Sequence, residues 1–238
     1  MTDNIFVTGN SSGLGFGLTK VYLEQGASVY GLSRRGCELE HQALHDIRVD
    51  LNDLDSIPAQ LERLLGEVKV LSAVFLNAGV LGQPRLMQDT PVEDLQAIMI
   101  SNVWSNKVIL DWLIRAQIRT DQIVLISSGA AVSGGKGWAG YSISKSALNM
   151  LAQLYAHEFP HSHLISLAPG LVDTEMQTYI SDPANIDTEQ FPGFTRLREA
   201  RGTNAMPGPD QAARKIKQAL PKLKKYQSGS FVDIRALT

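Results

Sequence analysis

Seven short apolar runs, alternating with turns and helix-length segments, constrain this chain more than any other feature. The runs begin near Asn4 (NIFVTG), Ala27 (ASVYGLS), Asp46 (DIRVD), Leu71 (LSAVFLN), Gln122 (QIVLISS), His163 (HLISLAPG) and Gly229 (GSFVDI). Helical patterns start near Gly13, Asp53, Pro91, Ala139 and Pro209. A strand that is apolar along its whole length has both faces buried, as in a parallel sheet sandwiched between helices. The expected fold is therefore α/β: a Rossmann-type, doubly wound, seven-stranded parallel sheet with helices on both faces. At 238 residues the chain suits a single domain over 1–238 with an ample core. The segment TPVED predicts a sharp helix start, with Thr90 as N-cap, Pro91 at the first helical position and Glu93 completing a capping box.

A formal charge of −2 leaves no basic surplus for a nucleic-acid surface. No run approaches the length that spans a membrane, and the opening MTDNIFVTGN lacks the basic and long apolar regions of a secretory signal. Cys37 is the only cysteine, so an internal disulfide framework is ruled out and a reducing, cytoplasmic setting is expected. His41 and His45, and the group His157, His161 and His163, lack carboxylate or thiol companions at metal-binding spacing, so no metal is expected. From about Thr174 to Pro209 the chain reads as irregular and is rich in Pro and Gly. So long a stretch in a compact domain is usually functional or disordered, and here it reads as a substrate lid.

The first apolar run ends in VTGNSSGLG, with Gly9, Gly13 and Gly15. The spacing is not G-x-G-x-x-G, yet glycines still allow a tight turn, and the following helix offers its N-terminal amides to a pyrophosphate. Such a turn is equally an ordinary strand-to-helix connection. The end of the second run adds to it. An NAD site usually holds an acidic residue there, whereas this chain has Ser33, Arg34 and Arg35 in GLSRRG. Arg clamps a 2′-phosphate and Ser donates to it, while a carboxylate would repel it. Two arginines after a strand also make a solvated turn, but with the glycine turn upstream the reading is NADP(H).

GWAGYSISKSAL sets Tyr141 and Lys145 one helical turn apart on a single helix face, surrounded by small residues. A free phenol, with a pKa of ~10, is a reluctant acid–base group at neutral pH. A neighbouring ammonium and a cationic oxidised nicotinamide both favour the phenolate and are expected to lower that value. In chain order, TGNSSGLG, NAG (Asn77, Ala78, Gly79), ISS (Ser127, Ser128) and YSISK resemble the short-chain dehydrogenase/reductase family. The motifs of that family are T-G-x-x-x-G-x-G, N-A-G, a serine and Y-x-x-x-K. Asn102 in ISNVW matches its helix Asn, and Pro169 to Thr174 (PGLVDT) matches its P-G-x-x-x-T segment. The resemblance covers essentially the whole chain.

The resemblance implies catalytic roles for Ser128, Tyr141, Lys145 and Asn102. Ser128 would bond the substrate oxygen, Tyr141 would act as general acid, and Lys145 would tune the phenol and grip the nicotinamide ribose. Asn102 would hold a water that relays protons to Lys145. Ser127 rivals Ser128 and lies on the opposite strand face, but the family spacing to the tyrosine selects Ser128. The implied cofactor set is Gly9, Asn10, Ser11, Ser12, Gly13, Leu14, Gly15, Ser33, Arg34, Arg35, Asp50, Leu51, Asn77, Ala78, Gly79, Tyr141, Lys145, Pro169, Gly170, Val172 and Thr174. Within it Asp50 would contact the adenine amine, or else cap the next helix, and Thr174 would bond the carboxamide. NADP-using relatives often carry a basic residue just before the second glycine, where this chain has Ser12.

The second half is similar to the sepiapterin and benzil reductase branch, which implies Ser128, Trp138, Tyr141, Asp173 and Met176 as substrate contacts. Asp173 would anchor a pterin. Trp138, Met176, Phe191 and Phe194 would form a slot for a flat substrate or simply pack the core and lid. The expected activity is NADPH-dependent reduction of aromatic or vicinal dicarbonyl small molecules. A catalytically silent NADP sensor and an NAD-dependent alcohol dehydrogenase are the alternatives. Retention of Ser128, Tyr141 and Lys145 argues against the first, and the Ser33–Arg34–Arg35 run against the second. Apolar residues on the Pro91 and Ala139 helices (Ile98, Val103, Ile109, Leu110, Leu148, Leu151, Leu154) are enough for both the sheet and a neighbour; in the family these two helices form a four-helix dimer interface, so the resemblance implies a homodimer, or a tetramer.

Overall fold

The computed structural model describes residues 3–237; Met1, Thr2 and Thr238, at the ends of the expected 1–238 span, lie outside the described residues. The strands are β1 (Asn4–Thr8), β2 (Ser28–Ser33), β3 (Leu44–Arg48), β4 (Val70–Leu76), β5 (Arg119–Ile126), β6 (His163–Ala168) and β7 (Phe231–Asp233). The helices are α1 (Gly13–Leu23), α2 (Ile57–Leu65), α3 (Val92–Met99), α4 (Ser105–Arg115), α5 (Ala139–Ala156), α6 (Glu175–Ser181), α7 (Thr195–Ala200) and α8 (Pro209–Leu223). All seven strands form one sheet in the order β3-β2-β1-β4-β5-β6-β7, and every neighbouring pair is parallel. This is the Rossmann-type sheet expected from the apolar runs.

The strands bury both faces by strict alternation. Phe6, Val74, Leu76, Ile123 and Leu125 pack with Leu61, Ile109 and Leu148 of α2, α4 and α5. Ile5, Val7, Ala73, Phe75, Val124 and Ile126 pack instead with Leu18 of α1 and Ile216 of α8. Each of the buried Val, Leu, Ile and Phe side chains among these contributes about 1.5–3 kcal/mol, which makes the sheet the stable platform of the molecule. The order of strands reverses between β1 and β4, so the loops leaving them diverge to opposite faces and open a crevice at the carboxyl edge.

Four details differ from the sequence reading. β3 starts two residues before the DIRVD run, placing Asp46 mid-strand opposite Gly31. TPVED forms no capping box: the Thr90 hydroxyl donates back to the Leu86 carbonyl at 2.8 Å, and Pro91, in extended conformation, takes the cap position without a side-chain bond. α3 and α4 are one helix interrupted by a π turn, Ile100–Trp104, whose extra residue the apolar pattern does not reveal. The stretch 174–209 is irregular only in part. It folds α6 and α7 over a small apolar cluster of Ile180, Ile186, Phe191 and Phe194, against which Trp138, Met176 and Leu197 pack.

Candidate active site

The crevice is a cleft of about 740 Å³ along the carboxyl edge, reaching from the ends of β1 and β2 to the start of α5 and α6. At its centre the chain crosses from β1 into α1. Gly9 has φ +70°, where a β-carbon is disfavoured, and an added Cβ would stand 2.9 Å from the Ala78 backbone. The Thr8 hydroxyl accepts the Asn77 and Ala78 amides at 2.9 and 3.0 Å, and Asn77 Nδ2 donates to the Thr8 carbonyl. The NAG segment therefore ties the end of β4 to the glycine turn. A Cβ on Gly13 would lie 3.1 Å from Thr174 Cγ2, so the segment entering α6 rests on the same turn.

Most of the residues expected at a cofactor line this cleft: Gly9, Ser11, Ser12, Gly13, Leu14, Ser33, Arg34, Arg35, Asp50, Leu51, Asn77, Ala78, Gly79, Tyr141, Lys145, Pro169, Gly170, Val172 and Thr174. Asn10 and Gly15 do not. Asn10 is fully buried, and its Nδ2 donates to Asp46 Oδ1 at 2.6 Å beneath the turn. A side chain at Gly15 would run into the Gly9 carbonyl and the Asn77 amide, so this glycine serves the packing of helix on strand. Asp50 accepts both the backbone and the side-chain N–H of Asn52, each at 3.0 Å, in a turn ahead of α2, and the α2 cap is Ser56.

Ser128, Tyr141 and Lys145 converge at the other end. Ser128 Oγ accepts the Ala130 amide at 3.1 Å, which leaves its hydroxyl hydrogen free to be donated. The rival Ser127 is buried and gives its hydroxyl to Asn149 Oδ1 at 2.6 Å, consistent with alternation along the strand. Lys145 is buried, with Nζ donating to the Ile126 carbonyl at 2.7 Å and lying 5.8 Å from the centre of the Tyr141 ring. Burial lowers its pKa to about 8. For Tyr141, burial pushes the pKa up and the Ser128 hydroxyl pulls in the opposite sense. In the protein as it stands Tyr141 is held as a neutral phenol.

Asn102 lies in the π turn, fully buried rather than at the cleft surface. Its amide accepts Val80 N–H at 2.7 Å and donates to the Val80 carbonyl and to Ser144 Oγ at 2.9 and 3.0 Å. Ser144 Oγ in turn donates to the Tyr141 carbonyl at 2.8 Å. The side chain thus joins the loop after β4 to the helix turn carrying Tyr141 and Lys145.

On the substrate side, Trp138 and Met176 line the cleft, and Trp138 stacks on Phe194 with ring centres 4.6 Å apart. Asp173 does not line it; its carboxylate accepts Arg201 Nε at 3.2 Å. Among the cleft residues that escaped the sequence reading are Glu175 at the start of α6, Asp233 at the end of β7 and Arg235 beyond it, where Asp233 accepts Arg235 Nε at 2.9 Å. The signal available was SGSFVD, a run ending at the carboxyl edge where such sheets bind ligands.

A doubly wound parallel sheet with a glycine turn at its switch point and a Tyr–Lys pair at its carboxyl edge defines a Rossmann-type oxidoreductase. The family model for short chain dehydrogenase matches residues 3–185, and the chain belongs to the short-chain dehydrogenase/reductase family. Members of that family bind nicotinamide cofactors and act on small molecules. Benzil reductase ((S)-benzoin forming) of Bacillus subtilis is 30% identical over 241 residues, covering 96% of this chain and 97% of that protein. Among solved structures, the 3-ketoacyl-(acyl-carrier-protein) reductase from Brucella melitensis complexed with NADH superposes with a TM-score of 0.79 at 19% identity, covering 97% of this chain and 96% of that one. ElxO with NADP bound gives 0.76 at 18% identity, covering 98% and 97%. No helix among the described residues is long and apolar enough to cross a membrane.

Proposed function

We propose that this oxidoreductase is an NADPH-dependent carbonyl reductase acting on aromatic or vicinal dicarbonyl compounds. The observation that carries the reading is the convergence of the Tyr141 phenol, the Ser128 hydroxyl and the buried Lys145 side chain at one end of the cleft, with Trp138 and Met176 beside them. The similarity to benzil reductase supports the substrate class.

The residues suit a dinucleotide. The absent side chains of Gly9, Gly13 and Gly79 leave a backbone-lined cradle, and among the described residues Lys145 spends one of its three N–H donors. Reduced nicotinamide, when bound, supplies the hydride. Tyr141 donates its proton to the carbonyl oxygen, and Ser128 donates a hydrogen bond that stabilises charge developing there. Lys145 favours the phenolate left behind. The adenosine end favours a 2′-phosphate: no carboxylate stands among Ser33, Arg34 and Arg35. Ser12, which replaces the usual basic residue, receives the Arg35 guanidinium at 2.8 Å, so positive charge is present at that position after all.

The protein acts as a homodimer through the exposed apolar stripe of Ile143, Met150 and Leu154 on α5 and Trp104 on the neighbouring π turn. Of the residues expected to reach a neighbour, only Leu154 is exposed, because the others are buried in the chain's own core.

The experiment is NADPH consumption with benzil, simple vicinal diketones and sepiapterin, for the wild type and Tyr141→Phe. We expect turnover that falls about 10²–10⁴-fold in the variant while NADPH binding persists. Full turnover in Tyr141→Phe, or tight NADPH binding without turnover of any carbonyl, would overturn the reading.

A further inference from the structure

Arg35 is engaged by a carboxylate that plays no part in the chemistry above. Its Nη2 donates to Ser12 Oγ at 2.8 Å and to Glu175 Oε2 at 3.3 Å, and all three residues line the cleft. They come from three separate segments: the turn after β2, the glycine turn, and the first residue of α6. The Arg35 and Glu175 side chains are 57% and 74% exposed, so the pair is solvated and breakable. The backbone carrying Glu175 is not free to drift, since Thr174 packs against the glycine turn at Gly13. Arg34 differs: among the described residues it has no ion pair.

Resting on the NADPH reading, we propose that Glu175 is a residue that limits cofactor discrimination, by competing with the 2′-phosphate for Arg35. A phosphate approaching Arg35 must displace or share it with the carboxylate, and it meets the like charge of Glu175 as it does so. NADH has no phosphate and leaves the Arg35–Glu175 pair as it is. Removing the carboxylate therefore strengthens NADPH binding selectively, by the modest factor one exposed ion pair commands, about two- to five-fold.

Calorimetric titration of NADPH and of NADH, without substrate, into wild type, Glu175→Gln, Arg35→Ala and the double variant tests this. The expected result is a Kd for NADPH about two- to five-fold lower in Glu175→Gln, an unchanged Kd for NADH, and no gain in the double variant. The gain should shrink in ~0.5 M salt, where exposed charges are screened. An unchanged or weaker NADPH affinity in Glu175→Gln, or equal shifts for both cofactors, overturns the proposal. If wild type binds the cofactors equally and Arg35→Ala alters neither, the NADPH reading falls and this proposal with it. If Arg35→Ala abolishes a wild-type preference that Glu175→Gln leaves untouched, the proposal falls alone.

Discussion

Lys145 carries its charge in a place that disfavours it. Among the described residues the buried ammonium has one hydrogen bond, to the Ile126 carbonyl, and burial brings its pKa down to about 8 from the ordinary 10.5. Because the folded value lies below the unfolded one, the unfolded chain binds more protons between the two. Stability therefore rises with pH across that window, and the cost of burying the ammonium is fully present below it. In urea unfolding at pH ~7.5 and ~9.5, the cofactor-free wild type should gain about 1–2 kcal/mol relative to Lys145→Met. Parallel pH profiles for the two proteins would refute the assigned cause. Tyr141 shifts the opposite way, because burial disfavours its charged phenolate form. The Y-x-x-x-K spacing makes the pair visible in the sequence, but a spacing carries no desolvation.

The elements around the pair show what holds it in place. Gly137, with φ +87°, immediately precedes Trp138, and a Cβ there would meet Phe194 Cε2 at 2.6 Å and Phe191 Cδ1 at 3.1 Å. The two aromatic rings of the 191–194 segment are thus seated on the entry to α5, and Trp138 joins them to Tyr141, whose ring centre is 5.7 Å away. Gly137→Ala should push this segment off its seat. We expect a substrate KM raised about ten-fold by misplacement at the reacting centre, with the Kd of NADPH unchanged. An unchanged KM, or equal losses in both constants, would sever the segment from the substrate site. The helices of this segment were not legible because α6 and α7 are only 7 and 6 residues long. Segments so short are marginal by propensity and owe their order to packing: Met176 and Ile180 of α6 and Leu197 of α7 join the cluster of Phe191 and Phe194 beside Trp138. The π turn was illegible for a related reason: one inserted residue shifts the helical pattern by about 100°, a change that flanking helices of 8 and 11 residues are too short to display, although it is the turn that holds Asn102 inside.

For the molecule as a whole, the exposed residues Trp104, Ile143, Met150 and Leu154, 43–56% accessible, form the apolar surface assigned to the dimer contact. Charges placed there by Met150→Glu with Leu154→Glu should convert a dimer to a monomer in light scattering without loss of helical signal. A monomeric wild type would remove the basis of that assignment. The core behind this stripe belongs to the chain itself, since Leu148 and Leu151 are buried against the sheet. Apolar residues on α5 were countable in the sequence, but their division between core and contact depends on the rotation of the helix on the sheet. The parallel sheet of seven strands, the glycine turn and the spacing of Tyr141 and Lys145 were readable because they rest on local patterns: apolar runs, φ-permissive glycines and fixed intervals along one helix. The orientation of Asp173 toward Arg201, the entry of Asp233 and Arg235 into the cleft, the pairing of Arg35 with Glu175 and the direction of the Tyr141 shift came only with the fold. Each of these depends on segments distant in the chain meeting at one edge of the sheet, where burial and neighbouring charge act across space and leave no local trace.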